Sequence, residues 1–189
     1  MSTRTSLTHP LIINTIPVSA GELGLTFCPG KKQPNAMTGS WDRDMTLDIA
    51  TIKSWGADAI ISLLEDFEYE ELQVPELPAV YQREFKTWYN LPIQDKNAPN
   101  PSWLENWLSI RELIHAQLNS GEKIMIHCKG GFGRTGTVAA MILMDFGYSV
   151  VDAIAECRKA RELSVETLVQ EQFLLDYSQI EQRNASSEA

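Results

Sequence analysis

One segment constrains the fold of this chain more than any other: an apolar strand pattern that runs directly into a glycine-rich loop and then a helix. Residues 123–127 (KIMIH) have the character of a buried strand, and residues 127–136 read HCKGGFGRTG. An apolar helical pattern follows over residues 138–146 and ends at Gly147. A strand, a tight loop and a helix in this order are typical of α/β folds, whose sites lie at the carboxyl ends of the strands.

The rest of the chain repeats this alternation. Asp44 is placed to cap a helix that runs to about Trp55 and stops at Gly56, and residues 59–64 (AIISLL) then read as a buried strand. Further strands are predicted at residues 23–27 and 85–93, and further helices at residues 102–118, 150–161 and 165–182. We therefore predict an α/β fold with a central, mostly parallel twisted sheet flanked by helices.

Length and charge limit the other possibilities. A chain of 189 residues has room for one substantial core, so we expect one domain over residues 1–183 and a frayed polar tail over residues 184–189. The formal net charge of −9 argues against a nucleic-acid partner, which would require a basic surface. The acidic run at residues 65–76 is interpreted as a solvated connection without a function.

Cysteine usage and hydropathy bear on the compartment. The three cysteines are scattered, without a CxxC pair or a disulfide framework, so reduced thiols in the cytoplasm fit best. The apolar run at residues 11–13 is too short for a secretory signal. No apolar stretch approaches the roughly 20 residues of a membrane span, and none is expected.

The loop itself has the composition of an anion site. Glycines let successive N–H groups turn inward, and the N-terminus of the following helix adds its positive end, so the loop can cradle a tetrahedral dianion. Arg134 can grip two oxygens of that anion, and the same field favours the thiolate of Cys128, which we predict to be a nucleophile. The predicted phosphate-binding residues are Lys129, Gly130, Gly131, Phe132, Gly133 and Arg134.

This loop resembles the Cys-x5-Arg phosphate loop of the protein tyrosine phosphatase superfamily in its HCxxGxGRTG form. Residues 41–180 are similar to the dual-specificity branch, and especially to the cyclin-dependent kinase inhibitor 3 (kinase-associated phosphatase) group and its bacterial relatives. The sequence segments that carry this resemblance are FCPG at residues 27–30, LLED at 63–66 followed by VP at 74–75, LPIQD at 91–95 and VET at 165–167 with Gln170 and Phe173.

The resemblance implies a protein phosphatase that works through a phosphocysteine intermediate on Cys128. It implies that Asp95 is the general acid, with Asp66 and Asp58 as weaker alternatives, because a serine, threonine or tyrosine oxyanion leaves poorly at neutral pH. The short chain implies a shallow cleft that accepts phosphotyrosine and also phosphoserine and phosphothreonine. Neither a metal ion nor another cofactor is expected.

Four other residues take roles from the same resemblance. Thr135 is expected to hydrogen-bond the cysteine sulfur and help it leave, and His127 to order the loop by hydrogen bonds. Glu166 stands where many tyrosine phosphatases have a water-positioning glutamine, so that role falls to Glu166, to Gln170 or to Asp95 alone.

Two questions about this region stay open. Arg158 and Arg161 either line the cleft or are solvated helix residues. Cys28 either carries a buried thiol, which is the favoured reading, or forms a protective disulfide with Cys128 under oxidation.

Two other function classes compete with a protein phosphatase. A phosphoinositide or inositol phosphate phosphatase would use the same loop, but lipid-directed members typically carry lysines at the positions of both Lys129 and Phe132. A non-catalytic phosphoprotein-binding module would have lost the cysteine, the arginine or the acid, and all three are present. The expected partner is a phosphorylated protein or peptide, bound by a monomer.

Overall fold

The computed structural model describes residues 3–36 and 38–187 of the chain. Its elements follow in the order β1 (Asn14–Val18), β2 (Gly21–Phe27), β3 (Lys32–Ala36), β4 (Gly39–Asp42), α1 (Met45–Trp55), β5 (Ala59–Ser62), α2 (Asp66–Glu71), α3 (Leu77–Glu84), β6 (Thr87–Asn90), α4 (Pro101–Asn119), β7 (Lys123–Cys128), α5 (Gly133–Asp145), α6 (Val150–Ala160) and α7 (Leu168–Ser187).

Five of the strands form one mixed sheet in the order β1-β2-β7-β5-β6. The strands β2, β7, β5 and β6 run parallel to one another, and β1 pairs antiparallel with β2 at the edge. The predicted mostly parallel α/β sheet is therefore confirmed. Strands β3 and β4 form a separate antiparallel pair.

Helix α1 shows why its boundaries could be predicted. The Asp44 side chain accepts a hydrogen bond of 2.9 Å from Leu47 N, which satisfies one free N–H group of the first turn. Gly56 ends the helix in the left-handed region at φ 93°, where a side chain would be strained. Both signals are local in the sequence, and the helix begins and ends where they indicate.

Helices cover both faces of the main sheet, so successive residues of the central strands enter opposite cores. Ile60 and Met125 belong to the cluster that includes residues of α1 and α3. Ile61, Ile124 and Ile126 belong to the cluster that includes residues of α4, α5, α6 and α7. Burial on both faces explains the nearly continuous apolar runs of these strands.

Two predicted boundaries differ from the structure. Strand β6 is shorter than residues 85–93, because Phe85 caps α3 and the chain leaves the ladder after Asn90. Helix α7 begins at Leu168 because Val165, with φ 58°, cannot continue a helix. The same helix continues through residues 184–187, where we expected a frayed tail, and residues 188–189 lie outside the described ranges.

Candidate active site

The glycine-rich loop joins the end of β7 to the start of α5. Cys128 is the last residue of the strand, is only 3% exposed, and its Sγ accepts a hydrogen bond of 3.2 Å from Gly131 N. Gly131 has φ 74°, and a Cβ there would overlap the carbonyl oxygen of Thr26 on β2. The loop therefore needs glycine at this position to close against the neighbouring strand.

Two basic side chains hold the loop from behind by its carbonyl groups. Lys31 Nζ donates to Lys129 O at 3.1 Å. Arg161 Nη2 donates to Gly130 O at 3.0 Å and its Nε to Gly131 O at 2.6 Å. With three consecutive carbonyl groups engaged on the outside, the loop N–H groups are left as the donors for an anion on the inside.

Arg158 and Arg161 both donate hydrogen bonds to backbone carbonyl groups. Arg161 lies behind the loop and does not line a cleft. Arg158 donates to the carbonyl oxygens of Ser164 and Val165 and pairs with Glu171 at 2.6 Å. Arg158 is therefore an exposed helix residue, as the solvated reading expected, whereas Arg161 is partly buried and binds the loop backbone.

We predicted that Lys129 binds the phosphate, but its side chain points away from the loop. Its Nζ forms an ion pair of 2.7 Å with Glu71 Oε1 on α2. The attraction of a neighbouring carboxylate outside the loop accounts for this direction, because the loop backbone offers N–H donors and no free acceptor for an ammonium group. Any contribution of Lys129 to anion binding then comes from its backbone.

Lys31 and Cys28 lie together beneath the loop. Burial lowers the pKa of Lys31 to about 8, while the nearby sulfurs of Cys28 and Cys128 raise it. Burial raises the pKa of the Cys28 thiol well above its ordinary value, although the charge of Lys31 acts to lower it. Cys28 is a free, buried thiol whose Sγ lies 3.6 Å from Pro29 O, which is the reading that the sequence favoured over a disulfide.

Arg134, in the first turn of α5, is buried and tightly held. Nη1 donates to Leu63 O at 3.2 Å and to Ile93 O at 2.9 Å, at the ends of the two neighbouring strand segments. Glu68 binds the guanidinium with both oxygens, at 2.6 Å to Nη1 and 2.9 Å to Nη2. Nε is buried and has no hydrogen-bond partner among the described residues. Arg134 thus keeps one fixed donor for a ligand.

Glu68 is a site residue that the sequence pattern did not indicate. It lies in the acidic run at residues 65–76, which we had interpreted as solvated, but it is only 1% exposed. Its Oε2 also accepts from Glu65 N at 2.9 Å, so it caps α2 while it holds Arg134. Burial lowers the pKa of Arg134, but the hydrogen bond and charge of Glu68, with Cys128 and Asp95, raise it above its ordinary value.

Asp95 reaches Arg134 from the loop after β6. Its Oδ1 lies 2.9 Å from Arg134 Nη2, and its side chain is 49% exposed. Asp58 lies at the opposite end of the sheet, before β5, where it pairs with Lys86 at 2.6 Å. Asp66 is an exposed residue at the start of α2. Of the three candidate acids, Asp95 is the one that the fold brings to the phosphate loop.

His127 lies behind the nucleophile and is fully buried. Burial and the charge of Arg134 lower the pKa of His127 to about 4, although the hydrogen bond to Cys128 O acts to raise it. Because Cys128 O only accepts, the contact of 3.3 Å requires a proton on Nδ1. Nε2 of the neutral ring then accepts from the Tyr81 hydroxyl at 2.9 Å. The imidazole thus links the strand end to α3.

Thr135 does not form the hydrogen bond to sulfur that we predicted. Its Oγ1 is buried in the first turn of α5 and has no hydrogen-bond partner among the described residues. The sulfur accepts from Gly131 N instead. The hydroxyl is therefore enclosed near the loop with its donor unused.

Glu166 and Gln170 both lie against the start of α5. A Cβ at Gly133 would come within 2.8 Å of Gln170 Nε2 and 3.0 Å of Glu166 Oε2. Glu166 is exposed, whereas Gln170 is fully buried. The Gln170 oxygen accepts from Glu166 N at 2.9 Å and from Thr167 N at 3.2 Å. Of the two candidates for water positioning, Glu166 is the one with solvent access.

The assembled groups are a buried sulfur at a strand end, a guanidinium with a fixed free donor and a carboxylate on the facing loop. This set can bind a tetrahedral oxyanion, attack it and exchange a proton with a departing oxygen. Within residues 3–36 and 38–187, no group of three or more His, Cys, Asp or Glu residues is placed to hold a metal ion. No helix in these ranges is long and apolar enough to cross a membrane.

Comparison with known proteins agrees with this chemistry. Residues 37–148 match the family model described as Tc-R-P, polymorphic toxin system, DSP-PTPase phosphatase. Cyclin-dependent kinase inhibitor 3 of Rattus norvegicus is 26% identical over 177 residues, which is 89% of this chain and 79% of that protein.

Solved structures show the same architecture. Kinase associated phosphatase, crystallised with serine in place of its catalytic-site cysteine, has a TM-score of 0.77 and 25% identity, over 91% of this chain and 97% of that one. PTPMT1 in complex with PI(5)P has a TM-score of 0.67 and 16% identity, over 91% of this chain and 99% of that one, which is a likeness of fold alone.

Proposed function

Because the chain belongs to the Tc-R-P family of DSP-PTPase phosphatases, we propose that Cys128, Arg134 and Asp95 are its catalytic residues and that phosphorylated proteins are its substrates. The enzyme is a phosphatase of the dual-specificity type. The observation that carries the assignment of residues is the Arg134 guanidinium. It is fixed by Glu68 and lies 2.9 Å from Asp95, at the loop that begins with Cys128. Its buried Nε has no hydrogen-bond partner among the residues that the structure describes.

The first displacement forms a sulfur–phosphorus bond and breaks the bond from phosphorus to the substrate oxygen. Cys128 Sγ attacks the phosphoryl group, whose oxygens are held by the loop N–H groups and by Arg134. Asp95 gives its proton to the departing oxygen, so the alcohol or phenol leaves neutral. The product of this step is a phosphocysteine and an Asp95 carboxylate.

The second displacement reverses the role of Asp95. Its carboxylate takes a proton from a water molecule as the water oxygen attacks phosphorus, and the sulfur–phosphorus bond breaks. The sulfur leaves as a thiolate, inorganic phosphate is released and Asp95 is protonated again. We assign the orientation of the water to Glu166 and a supporting role to Thr135. The Thr135 hydroxyl lies in the first turn of α5 and has no hydrogen-bond partner within residues 3–36 and 38–187.

The charges around the loop support a phosphoprotein over a lipid with several phosphates. Lys129 is engaged by Glu71, and Phe132 stands where a second cation would be needed. Asp66, Glu70 and Glu71 are exposed on α2, which contacts the loop through Lys129 and Arg134. A polyanionic headgroup would meet these carboxylates, whereas a single phosphate on a peptide would meet only the loop.

We place the enzyme in the cytoplasm as a monomer. The support for this compartment is that Cys28, Cys128 and Cys157 are all free thiols. Likeness of fold to PTPMT1 in complex with PI(5)P keeps a phosphoinositide phosphatase as the second candidate.

The test measures release of inorganic phosphate from a phosphotyrosine peptide, a phosphothreonine peptide and a short-chain phosphoinositide in EDTA. We expect turnover of the peptides, and a loss of more than about 10³-fold in Cys128→Ser and Arg134→Lys. Full activity of Cys128→Ser would contradict the assigned nucleophile. A higher kcat/KM for the phosphoinositide than for both peptides would favour the second candidate.

A further inference from the structure

The start of α7 carries a reciprocal cap. Thr167 Oγ1 accepts a hydrogen bond of 3.3 Å from Gln170 N, and Gln170 Oε1 accepts one of 3.2 Å from Thr167 N. This is the capping-box arrangement, in which two side chains satisfy each other's free N–H groups. Each of the two side chains is left with hydrogen-bond donors that the cap does not use.

Both side chains use a remaining donor on the loop that carries Asp95. Thr167 Oγ1 donates to Lys96 O at 3.2 Å, and Gln170 Nε2 donates to Asn97 O at 3.1 Å. These are consecutive carbonyl groups, and they directly follow Asp95 in the chain. One helix cap therefore holds the acid loop at two adjacent points.

The held segment has a backbone conformation that needs support. Lys96 has φ 61°, in the left-handed region that residues with side chains seldom adopt. Lys96 N donates to Asp95 Oδ1 at 3.1 Å, and the same oxygen lies 2.9 Å from Arg134 Nη2. The conformation of Lys96 and the place of the Asp95 carboxyl are therefore linked.

Gln170 also touches the phosphate loop. It is fully buried, and a Cβ on Gly133 would come within 2.9 Å of its Oε1. Its oxygen already accepts from two backbone N–H groups, so both of its lone pairs are engaged and none is left for a water molecule. This geometry argues against Gln170 as the acceptor that orients the hydrolytic water.

We propose that Thr167 and Gln170 are positioning residues that fix Asp95 over the phosphate loop. This inference rests on the proposed function, in which Asp95 is the general acid. The two side chains act on the first displacement, through the proton given to the leaving oxygen. The consequence is a dependence on the leaving group, because only a poor leaving group needs that proton.

The experiment compares kcat/KM for phenyl phosphate, a poor leaving group, with kcat/KM for p-nitrophenyl phosphate, a good one. Thr167→Val removes the hydroxyl and keeps the shape of the side chain. We expect it to lower kcat/KM for phenyl phosphate by about 10-fold and for p-nitrophenyl phosphate by less than about 2-fold. Thr167→Ser keeps the hydroxyl and should restore turnover of phenyl phosphate.

A second variant tests the other contact. Gln170→Glu keeps an acceptor for the cap but replaces the NH2 donor by an oxygen, so the hydrogen bond to Asn97 O is lost. We expect kcat/KM to fall by about 10-fold for phenyl phosphate and to change little for p-nitrophenyl phosphate. If Gln170 oriented the water instead, its variant would accumulate phosphocysteine and show a burst of p-nitrophenol followed by a slow phase. Because Asp95 also serves the second displacement, a misplaced Asp95 would give the same burst in Gln170→Glu and Thr167→Val. A burst in Gln170→Glu without one in Thr167→Val would overturn the proposal. Ser178→Ala is the matched control, because its hydroxyl donates to Leu175 O within α7.

A double-variant cycle separates this proposal from the assignment of the acid. Asp95→Asn should slow phenyl phosphate by about 10²-fold or more, and adding Thr167→Val should then have no further effect. If Asp95→Asn spares phenyl phosphate, the proposed acid is wrong. Asp95→Asn could instead slow phenyl phosphate while Thr167→Val slows both substrates equally. That result would support Asp95 as the general acid and overturn the positioning role of Thr167.

Discussion

Oδ1 of Asp95 lies 2.9 Å from Nη2 of Arg134, so the carboxylate of the acid loop already contacts the guanidinium that serves the phosphate loop. An incoming oxyanion therefore meets a carboxylate on its main cationic group. The Asp95 side chain is 49% exposed, and solvent screens part of this interaction. A bound dianion must either share Arg134 with the Asp95 carboxylate or displace that carboxylate toward the leaving oxygen. The position of Asp95 therefore depends on whether an anion is bound.

The first prediction concerns oxyanion affinity. Asp95→Asn removes the negative charge from Arg134, so we expect the inhibition constant of tungstate, measured against p-nitrophenyl phosphate, to fall by about 2- to 5-fold. Asp66→Asn removes an exposed carboxylate from the nearby α2 and should change the constant little. An equal gain in both variants would show a general charge effect and no specific competition.

The second prediction concerns the buried partner of Arg134. Glu68→Ala leaves the guanidinium buried without its carboxylate, and we expect the free energy of unfolding in urea to fall by about 3–5 kcal/mol. The kcat/KM for p-nitrophenyl phosphate should fall by at least about 10-fold, because Arg134 loses its orientation. Glu70→Ala, at an exposed position of the same helix, is the control, and equal stability of the two variants would contradict this role.

The buried role of Glu68 was not predicted, and the reason shows which part of the site the sequence could predict. Cys128 and Arg134 are six residues apart on one continuous strand, loop and helix, so their proximity follows from local structure. Glu68 stands in a run of carboxylates, and its inward direction depends on β5 lying beside β7 in the sheet. Chain order does not determine which strands are neighbours. The only available signal was that the run follows directly on a buried strand.

The same limit applies to the groups behind the loop. Lys31 and Arg161 meet the carbonyl groups of residues 129–131 from distant parts of the chain. Lysine and arginine are usually solvated, and no local pattern marks Lys31 as buried or Arg161 as partly buried. By contrast, the mostly parallel sheet was predictable because its strand and helix patterns alternate along the chain.

The third prediction concerns this support. Arg161→Lys retains the charge but loses the planar fork that reaches Gly130 O and Gly131 O together. We expect kcat/KM for p-nitrophenyl phosphate to fall by about 10-fold, mainly through a higher KM, because the loop N–H groups lose their fixed direction. Lys159→Ala, at an exposed position of α6, should leave both constants unchanged. A lower kcat with an unchanged KM would contradict a role in oxyanion binding.

The fourth prediction follows from the pKa of His127. Burial lowers this pKa from 6.5 to about 4, so between these two values the unfolded chain binds a proton that the folded protein does not. The free energy of unfolding then rises with pH across that window. The favourable contribution of the neutral imidazole is complete above pH 6.5 and is lost as the pH falls toward 4. The full difference corresponds to roughly 3 kcal/mol.

Urea unfolding at several pH values between about 7.5 and 4.5 measures this contribution when the protein is compared with His127→Gln. Every carboxylate that titrates in the range is present in both proteins, so the difference between the two pH profiles isolates the imidazole. We expect His127→Gln to be less stable near neutral pH, since it loses the hydrogen bonds to Tyr81 and Cys128 O, and to lose less stability as the pH falls. Parallel profiles would mean that His127 is protonated in the folded protein at the same pH as in the unfolded chain, which is incompatible with a buried, neutral ring linking Tyr81 to the strand end.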